Sequence, residues 1–263
     1  MKREVGRMHP AALGSVVRIM RAMATEGLST VDAADHAGYS PYHFNRLFSA
    51  TMQVSPGLYL TALRIDAAKR LLLADAAPVI DVAAAVGYNS LSSFSRRFRT
   101  VVGIYPGAFR ALADTVTDST IQPFRLSDPQ QLAVRVRPRL PDPLRPKPTV
   151  ALWIGWFPRP APIGLPAAGV LTTSDAEVAL PLSPGNPWLL SFAVSARAGA
   201  EEQLVPQRPL VARCPFPLTT ATTVELHYQH ATDVDLPLLP ALPLLNRPDY
   251  VSNFGQSLTW APG

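Results

Sequence analysis

One stretch near the N-terminus occurs twice, and this internal repeat constrains the fold more than any other feature of the sequence. Residues 32–56, DAADHAGYSPYHFNRLFSATMQVSP, align with residues 81–106, DVAAAVGYNSLSSFSRRFRTVVGIYP, after one inserted residue. The two copies share an aspartate, a Gly-Tyr pair, a Phe-x-Arg-x-Phe pattern and a final proline. Agreement at so many ordered positions over ~25 residues predicts two copies of one structural unit.

Each copy has the layout of a helix-turn-helix, with a short alanine-rich helix, a glycine turn and a second helix. In the first copy, Ser29 offers an N-cap, Gly38 a stop, and Ser40-Pro41 the start of the second helix, which should run to about residue 51. Apolar residues at helical spacing over 10–25 predict one more helix before the repeat. The sequence therefore predicts a helical N-terminal domain with two tandem units.

The second helix of each unit is predicted to bury its phenylalanines and to expose the opposite face. Asn and Arg side chains can bind adenine and guanine edges, Ser can bind either, and Leu can meet a thymine methyl group. The predicted base contacts are Tyr42, Asn45, Arg46, Leu91, Ser92, Ser95 and Arg96. The predicted phosphate contacts, which position the protein on the duplex, are Ser40, His43, Ser90, Arg97, Arg99 and Arg110.

The segment between the units, PGLYLTALRIDAAKRLLLADA, predicts one long amphipathic helix that starts at Pro56. A rigid connector of this kind would fix the separation of the two recognition helices. Two such helices about one DNA turn apart, ~34 Å, can enter successive major grooves on one face of the duplex.

The positive charge of the chain is concentrated in the same region. The formal net charge of the whole chain is +5. Residues 1–114 contain 13 Lys and Arg against 8 Asp and Glu, whereas residues 115–263 contain 11 of each kind. The basic excess fits a polyanionic partner, although many protein surfaces carry a similar charge without one.

With these motifs in place, the first part of the chain resembles the AraC/XylS family of transcriptional regulators. The second unit and its tail, GYNSLSSFSRRFRTVVGIYPGAFR over residues 87–110, follow the family pattern, and the connector segment RIDAAKRLLL over 64–73 also fits. The resemblance covers roughly residues 10–112. One departure is Gln53, where the family usually has the glycine seen at Gly103.

The resemblance implies a regulator that binds double-stranded DNA at promoters as a monomer or homodimer and contacts RNA polymerase. We expect no cofactor and no metal. Most members carry the DNA-binding domain at the C-terminus, whereas here it is N-terminal, so the usual sugar-binding domain is not transferred to this chain. We expect a cytoplasmic protein, since the chain has one cysteine and no uncharged apolar run of ~18 residues.

Proline separates this helical part from the rest of the chain. Residues 1–122 contain 5 of the 28 prolines, and residues 123–263 contain the other 23. Proline at that density excludes long helices, because it lacks an N–H donor and clashes with the preceding turn. Strand-like runs lie at 132–137, 149–157, 168–173, 176–182, 188–196, 210–214 and 222–229.

The predicted fold class is therefore α+β multidomain, an all-α tandem helix-turn-helix domain followed by a mostly β sandwich or small barrel. We expect a DNA-binding domain over 1–115, a proline-rich linker and first strand over 116–148, and a β-rich domain over 149–263. The last would sense an effector or form a dimer. The stiff part of the linker is expected over residues 137–148.

An aromatic cluster is the feature of the second part most like a ligand pocket for a small-molecule effector. It consists of Trp153, Trp156, Trp188 and Phe192, with Phe157 beside them. The alternative is an ordinary hydrophobic core. The uncharged segment LPLLPALPLL over 236–245 must also be covered, either by its own domain or as a dimer-forming arm against a second subunit.

Two further signals are weaker. His227 and His230 have metal-like composition, but residues three apart in a strand point to opposite faces. Cys214 is a candidate reactive thiol, and the simpler interpretation is a small buried thiol. No nucleotide-binding or nucleophile motif is present, which argues against an enzyme. The alternative to a regulator is a ligand- or partner-binding protein with a degenerate DNA-binding domain.

Overall fold

The computed structural model describes residues 6–74, 76–116, 121, 123–126, 134–141, 150–173, 175–246 and 260–262. The helices are α1 Pro10–Met23, α2 Thr30–His36, α3 Pro41–Met52, α4 Pro56–Ala74, α5 Val79–Ala85, α6 Leu91–Val102, α7 Pro106–Thr115 and α8 Ala200–Leu204. Short 3₁₀ turns lie at Ala24–Glu26 and Leu242–Asn246. The strands are β1 Phe124–Leu126, β2 Val134–Arg139, β3 Val150–Phe157, β4 Gly169–Thr172, β5 Val178–Leu180, β6 Trp188–Ser195, β7 Leu210–Arg213, β8 Thr222–His227, β9 Gln229–His230 and β10 Trp260–Pro262. The predicted order, helical first and mostly β second, is confirmed.

The helix starts in the repeat depend on local capping. Ser29 and Asp32 form a reciprocal capping box, in which the Asp32 carboxylate accepts from the Ser29 N–H at 2.8 Å and Ser29 Oγ accepts from the Asp32 N–H at 3.2 Å. The hydrogen bond from the Ser29 backbone N–H lowers the pKa of the Asp32 carboxyl. Ser40 caps α3 and Ser90 caps α6. In both cases the serine Oγ accepts a hydrogen bond from the backbone N–H three residues later. The predicted caps of the first unit are therefore confirmed.

Three aromatic rings hold each unit together. In the first unit Phe44, Phe48 and Tyr59 stack in sequence, with ring centroids 5.5 and 5.6 Å apart. In the second unit Phe94, Phe98 and Phe109 do the same, with both distances 5.6 Å. The third ring of each set stands three residues after a proline, on the next helix. The repeat therefore extends past the proline that ends the sequence alignment.

Two half-buried arginines connect helix ends to neighbouring elements. Arg64 on α4 donates to the carbonyl oxygens of Ala24 and Leu28 at 2.7 and 3.0 Å. Arg110 on α7 donates to the carbonyl oxygens of Leu72, in the last turn of α4, and of Ala77, which follows that helix, at 3.2 and 2.6 Å. Helix C-termini leave carbonyl groups without intrahelical partners, so cations at these positions stabilise the ends.

The C-terminal region consists of two sheets. One has seven strands in the order β10-β1-β4-β3-β6-β7-β9, and the other has three in the order β5-β2-β8, with β2 and β8 parallel. One core cluster contains inward side chains of both sheets, including Val136, Leu226, Ile154 and Trp156. The two sheets therefore pack face to face, as in the predicted sandwich. Strands were expected in seven runs, which correspond to β2–β8; the strands β1, β9 and β10 and the short helix α8 are additional.

The apolar segment 236–245 is covered by its own chain. Leu239, Ala241 and Leu244 join the core of the second helix-turn-helix unit, while Leu238 and Leu245 pack against the seven-stranded sheet. This burial removes the reason for assigning the segment to a dimer interface. The predicted stiff linker over 137–148 overlaps the end of β2, and its residues 142–148 lie outside the described part of the chain.

The same segment contacts the connector helix through a buried amine. Lys69 on α4 is 0% exposed, and its Nζ donates to the carbonyl oxygens of Leu238 and Leu239 at 2.7 and 3.1 Å. The ammonium also lies 5.7 Å from the centroid of the Phe109 ring. Burial disfavours the charged form and lowers the pKa of Lys69 to about 7.

Backbone bonds complete the contact between the helical region and the β-rich region. The N–H groups of Gly164 and Ala241 donate to the carbonyl oxygens of Val101 and Val102, at 2.7 and 2.9 Å. Those two carbonyls belong to the last turn of α6, where no intrahelical partner is available. The β-rich domain therefore caps the second recognition helix.

We predict that Gln53→Gly stabilises the protein. Gln53 ends α3 with φ 59° and ψ 14°, in the left-handed region that glycine adopts without steric cost. A left-handed non-glycine residue costs ~1–2 kcal/mol, and glycine loses about half of that gain through its larger entropy in the unfolded chain. We expect the free energy of unfolding in urea to rise by ~0.5–1 kcal/mol.

The matched control is the equivalent position of the second unit. Gly103 has φ 105°, and a Cβ built there would stand 2.5 Å from Leu165 Cγ. Gly103→Ala should therefore destabilise the chain by more than ~1 kcal/mol. A loss of stability in Gln53→Gly would show that the glutamine side chain contributes more than its backbone strain costs.

We also predict that Lys69 makes the stability depend on pH. Because its pKa is about 7 in the folded chain and near 10.5 when unfolded, the unfolded state binds more protons between these values. The contribution of Lys69 to the free energy of unfolding should therefore rise with pH from about 7 to 10.5. The neutral amine still has two N–H donors for the two carbonyls.

The measurement compares wild type with Lys69→Met by urea unfolding at pH 6 and pH 9. Other groups titrate in both proteins, so their effects cancel in the difference. The stability of wild type relative to the variant should increase at the higher pH. An unchanged difference would mean that Lys69 stays protonated in the folded chain throughout this range.

Candidate nucleic-acid interface

The recognition helices α3 and α6 expose the faces that the sequence predicted for base contacts. Tyr42 is 81% exposed and Leu91 is 42% exposed. Asn45, Arg46, Ser92 and Arg96 are also exposed, whereas Ser95 is half-buried. The phenylalanines at positions 44, 48, 94 and 98 lie on the opposite faces, each at most 1% exposed. The structure thus brings the predicted residues of each helix together on one outer surface.

Arg46 and Arg96 occupy equivalent places on the two helices. Within the described residues, neither guanidinium has a carboxylate or hydrogen-bond partner, and the same holds for Arg97. An arginine without an internal partner keeps its full set of five donors for an external acceptor. Three such cations on the exposed faces of α3 and α6 are suited to a polyanion.

The residues predicted to contact phosphates lie in different settings. Ser40 and Ser90 are exposed N-caps, and Ser90 Oγ also hydrogen-bonds Ser92 Oγ at 2.9 Å. His43 is half-buried, with its ring edge-to-face against Tyr39 at 5.2 Å. Each of these groups lies beside the exposed face of its recognition helix.

The arginines predicted for phosphate contact differ more strongly in their surroundings. Arg99 is exposed at the end of α6, where its guanidinium lies 4.8 Å from the Tyr105 ring centroid and donates to the Tyr105 hydroxyl at 3.0 Å. The ring holds this cation in one orientation. Arg110, in contrast, points to the end of α4, where its guanidinium binds two backbone carbonyls. The structure therefore does not bring Arg110 to the exposed surface of α6, where Arg97 and Arg99 lie.

Sequence reasoning missed the residues that position the recognition helices. Tyr59 and Phe109 close the aromatic triads, and Tyr105 orients Arg99. The signal was present for the first two, because the aligned prolines at 56 and 106 are each followed three residues later by an aromatic residue. No comparable pattern marks Tyr105, whose counterpart in the first unit is Ser55.

The aromatic cluster predicted as a ligand pocket does not converge on one cavity. Trp153 packs on one face of β3 with Phe124 and Phe192, while Trp156 is buried on the other face between the sheets. Trp188 is half-buried at the start of β6, opposite Phe157. Phe192 alone of the four predicted residues lines the cleft between the two domains.

The remaining chemical signals have structural explanations. Cys214 is 2% exposed in the core between the sheets, and burial raises the pKa of its thiol. His227 lies 3.6 Å from Glu225, and the described residues contain no group of three or more His, Cys, Asp or Glu placed to hold a metal ion. No described helix is both long enough and apolar enough to cross a bilayer.

Comparison with known proteins places this helical domain in a family. Residues 33–112 match a family model described as a helix-turn-helix domain. The transcriptional activator AarP of Providencia stuartii is 36% identical over 91 residues, which cover 35% of this chain and 67% of that protein. The RCS-specific transcriptional activator RclR of Escherichia coli is 33% identical over 103 residues, which cover 39% of this chain and 36% of that protein.

Solved structures give similar matches over the same share of the chain. A regulator with an AraC-type DNA-binding domain from Chromobacterium violaceum is 32% identical and covers 38% of this chain and 90% of that one, with a TM-score of 0.37. The DNA-binding domain of AdpA, solved with a target DNA, is 28% identical with a TM-score of 0.38. On the tandem units and the identity to AarP over two thirds of that protein, the chain belongs to the AraC family of helix-turn-helix transcriptional regulators.

Proposed function

We propose that this chain is a sequence-specific regulator that binds double-stranded DNA with α3 and α6 in successive major grooves. The observation that carries the proposal is the equivalent placement of Arg46 and Arg96, both exposed and without an internal partner in the described residues. Bidentate arginine contacts to guanine are the most common specific contacts in the major groove.

The arrangement of the helices supports this use of the two faces. The aromatic triads pack α3 on α4 and α6 on α7, so neither recognition helix is free to turn about its own axis. Fixed helices keep their outward side chains in register with the base edges, which lowers the entropy lost on binding. The exposed hydroxyls of Ser40 and Ser90 and the guanidiniums of Arg97 and Arg99 would then contact the phosphates on either side.

The β-rich domain is proposed to modulate this activity by binding an effector. Its contacts with the end of α6 and with α4 support that role, because a conformational change in the β-rich domain would alter its contacts with these DNA-binding elements. Contact with RNA polymerase and the formation of a homodimer stay predictions.

We expect Arg46→Ala and Arg96→Ala each to weaken binding to the specific site by ~1–3 kcal/mol, because each removes a base contact. The site would first be found by in-vitro selection with the full chain, and affinities measured by fluorescence anisotropy at fixed salt. The preference for individual bases should also relax at one half of the site for each variant.

Arg18→Ala serves as the matched control, because Arg18 is exposed on α1 and lies outside both recognition helices. It should change the affinity little. An equal loss for Arg46→Ala on specific and random DNA would argue against base contact. Selection that yields no site would favour the alternative, a ligand-binding protein with a degenerate DNA-binding domain.

A different signature is expected for Arg97→Gln. A phosphate contact carries no sequence information, so affinity should fall by a similar factor on specific and random DNA. The slope of log K against log salt should become shallower by ~1, because one fewer counterion is released. An unchanged slope would place Arg97 away from the phosphates.

A further inference from the structure

A cleft of about 390 Å³ lies between the first helix-turn-helix unit and the β-rich domain. The helical side contributes residues from α1 and from the last turn of α3, and the opposite side contributes β6, β7 and the segment after β9. The lining residues are Leu13, Thr51, Met52, Pro160, Pro162, Leu190, Phe192, Val211, Ala212, Arg213, His227, Gln229, Val234, Asp235 and Leu236. A cavity of this size, at a domain boundary, is typical of small-molecule sites.

The walls of the cleft are mostly apolar, and one cation stands among them. Leucine, valine, proline, methionine and phenylalanine side chains make up most of the lining. Arg213, at the end of β7, is exposed and has no carboxylate or hydrogen-bond partner for its guanidinium in the described part of the chain. Apolar surface with one unpaired arginine is suited to a ligand that has an apolar body and an anionic end.

The other charged groups of the cleft already have partners. The Asp235 carboxylate accepts from the N–H and the hydroxyl of Thr232, at 2.8 and 2.7 Å. His227 lies 3.6 Å from the Glu225 carboxylate, which also binds Arg139. Arg213 is therefore the group left to bind a ligand charge. We propose that this cleft binds a small amphipathic carboxylate, with its apolar tail along Phe192 and Met52 and its carboxylate on Arg213.

The position of the cleft connects the ligand to the DNA-binding unit. The loop that carries Val234 and Asp235 is held by Arg21 on α1, which donates to the carbonyl oxygens of Asp233 and Asp235, and by the Tyr59 hydroxyl, which donates to Asp233 at 3.1 Å. Met52 and Thr51 form the last turn of α3. A bound ligand would thus contact the end of the first recognition helix and the loop clamped to α1 and α4.

Binding is tested by titration calorimetry on the full chain with hexanoate, octanoate, decanoate and 4-phenylbutyrate, each beside its uncharged primary amide. We expect saturable one-to-one binding of at least one acid, about tenfold or more tighter than its amide, because only the acid pairs with the guanidinium. Acids and amides that bind equally, or a panel with no saturable binding, would overturn the proposal.

Variants locate the site. Arg213→Met should weaken binding of the acid about tenfold and leave its amide unchanged, while Arg213→Lys should restore part of the affinity. Arg197→Met is the matched control, since Arg197 is an exposed arginine of the same domain that does not line the cleft, and it should bind like wild type. If Arg213→Met bound the acid as tightly as wild type, the ligand would lie elsewhere.

The regulatory consequence rests on the proposed function, whereas ligand binding does not. With the best acid at saturation, DNA affinity should change by the same factor by which DNA changes the affinity for the acid. Ligand binding without that coupling would overturn regulation through the cleft and leave the site itself standing. Loss of specific DNA binding in all conditions would instead refute the proposed function.

Discussion

The buried helix α4 is the element on which the rest of the structure depends. Its side chains divide between two cores, with Leu60 and Leu63 in that of the first unit and Ile65 and Leu72 in that of the second. Its one fully buried charged group, Lys69, binds two carbonyls of the C-terminal segment. A buried amine without partners costs several kcal/mol, so this segment can leave α4 only at a large energetic cost. One helix thus fixes the positions of both recognition helices and of the second domain.

The local structure could be predicted from the sequence, because its causes are local. Caps such as Ser29 and Ser40, the turn glycines and the inward phenylalanines follow from residue type and spacing over a few positions. The outward faces follow in turn, since a helix that buries Phe44 and Phe48 must expose Asn45 and Arg46. The internal repeat doubled most of these signals, since Ser90 caps α6 as Ser40 caps α3.

The contacts between distant parts of the chain could not be predicted in this way. Nothing in the sequence near Lys69 indicates that residues 238 and 239 will receive its hydrogen bonds, and Arg110 carries the same surface-arginine signal as Arg97 although it caps a helix. The tryptophans of β3 illustrate a further limit. Trp153 and Trp156 are close in sequence but, three apart on a strand, they lie in different cores.

The bonds that cap α6 have a consequence for hydrogen exchange. The Ala241 and Gly164 amides donate across the domain boundary to Val102 and Val101, so their protons are shielded while the domains are in contact. These two amides would exchange with solvent on each transient separation, long before global unfolding exposes the amides inside α6. Their protection factors would therefore report the free energy of opening between the domains. A molecule bound at the boundary would slow this exchange, and more so the more it stabilises the contact between the two sides.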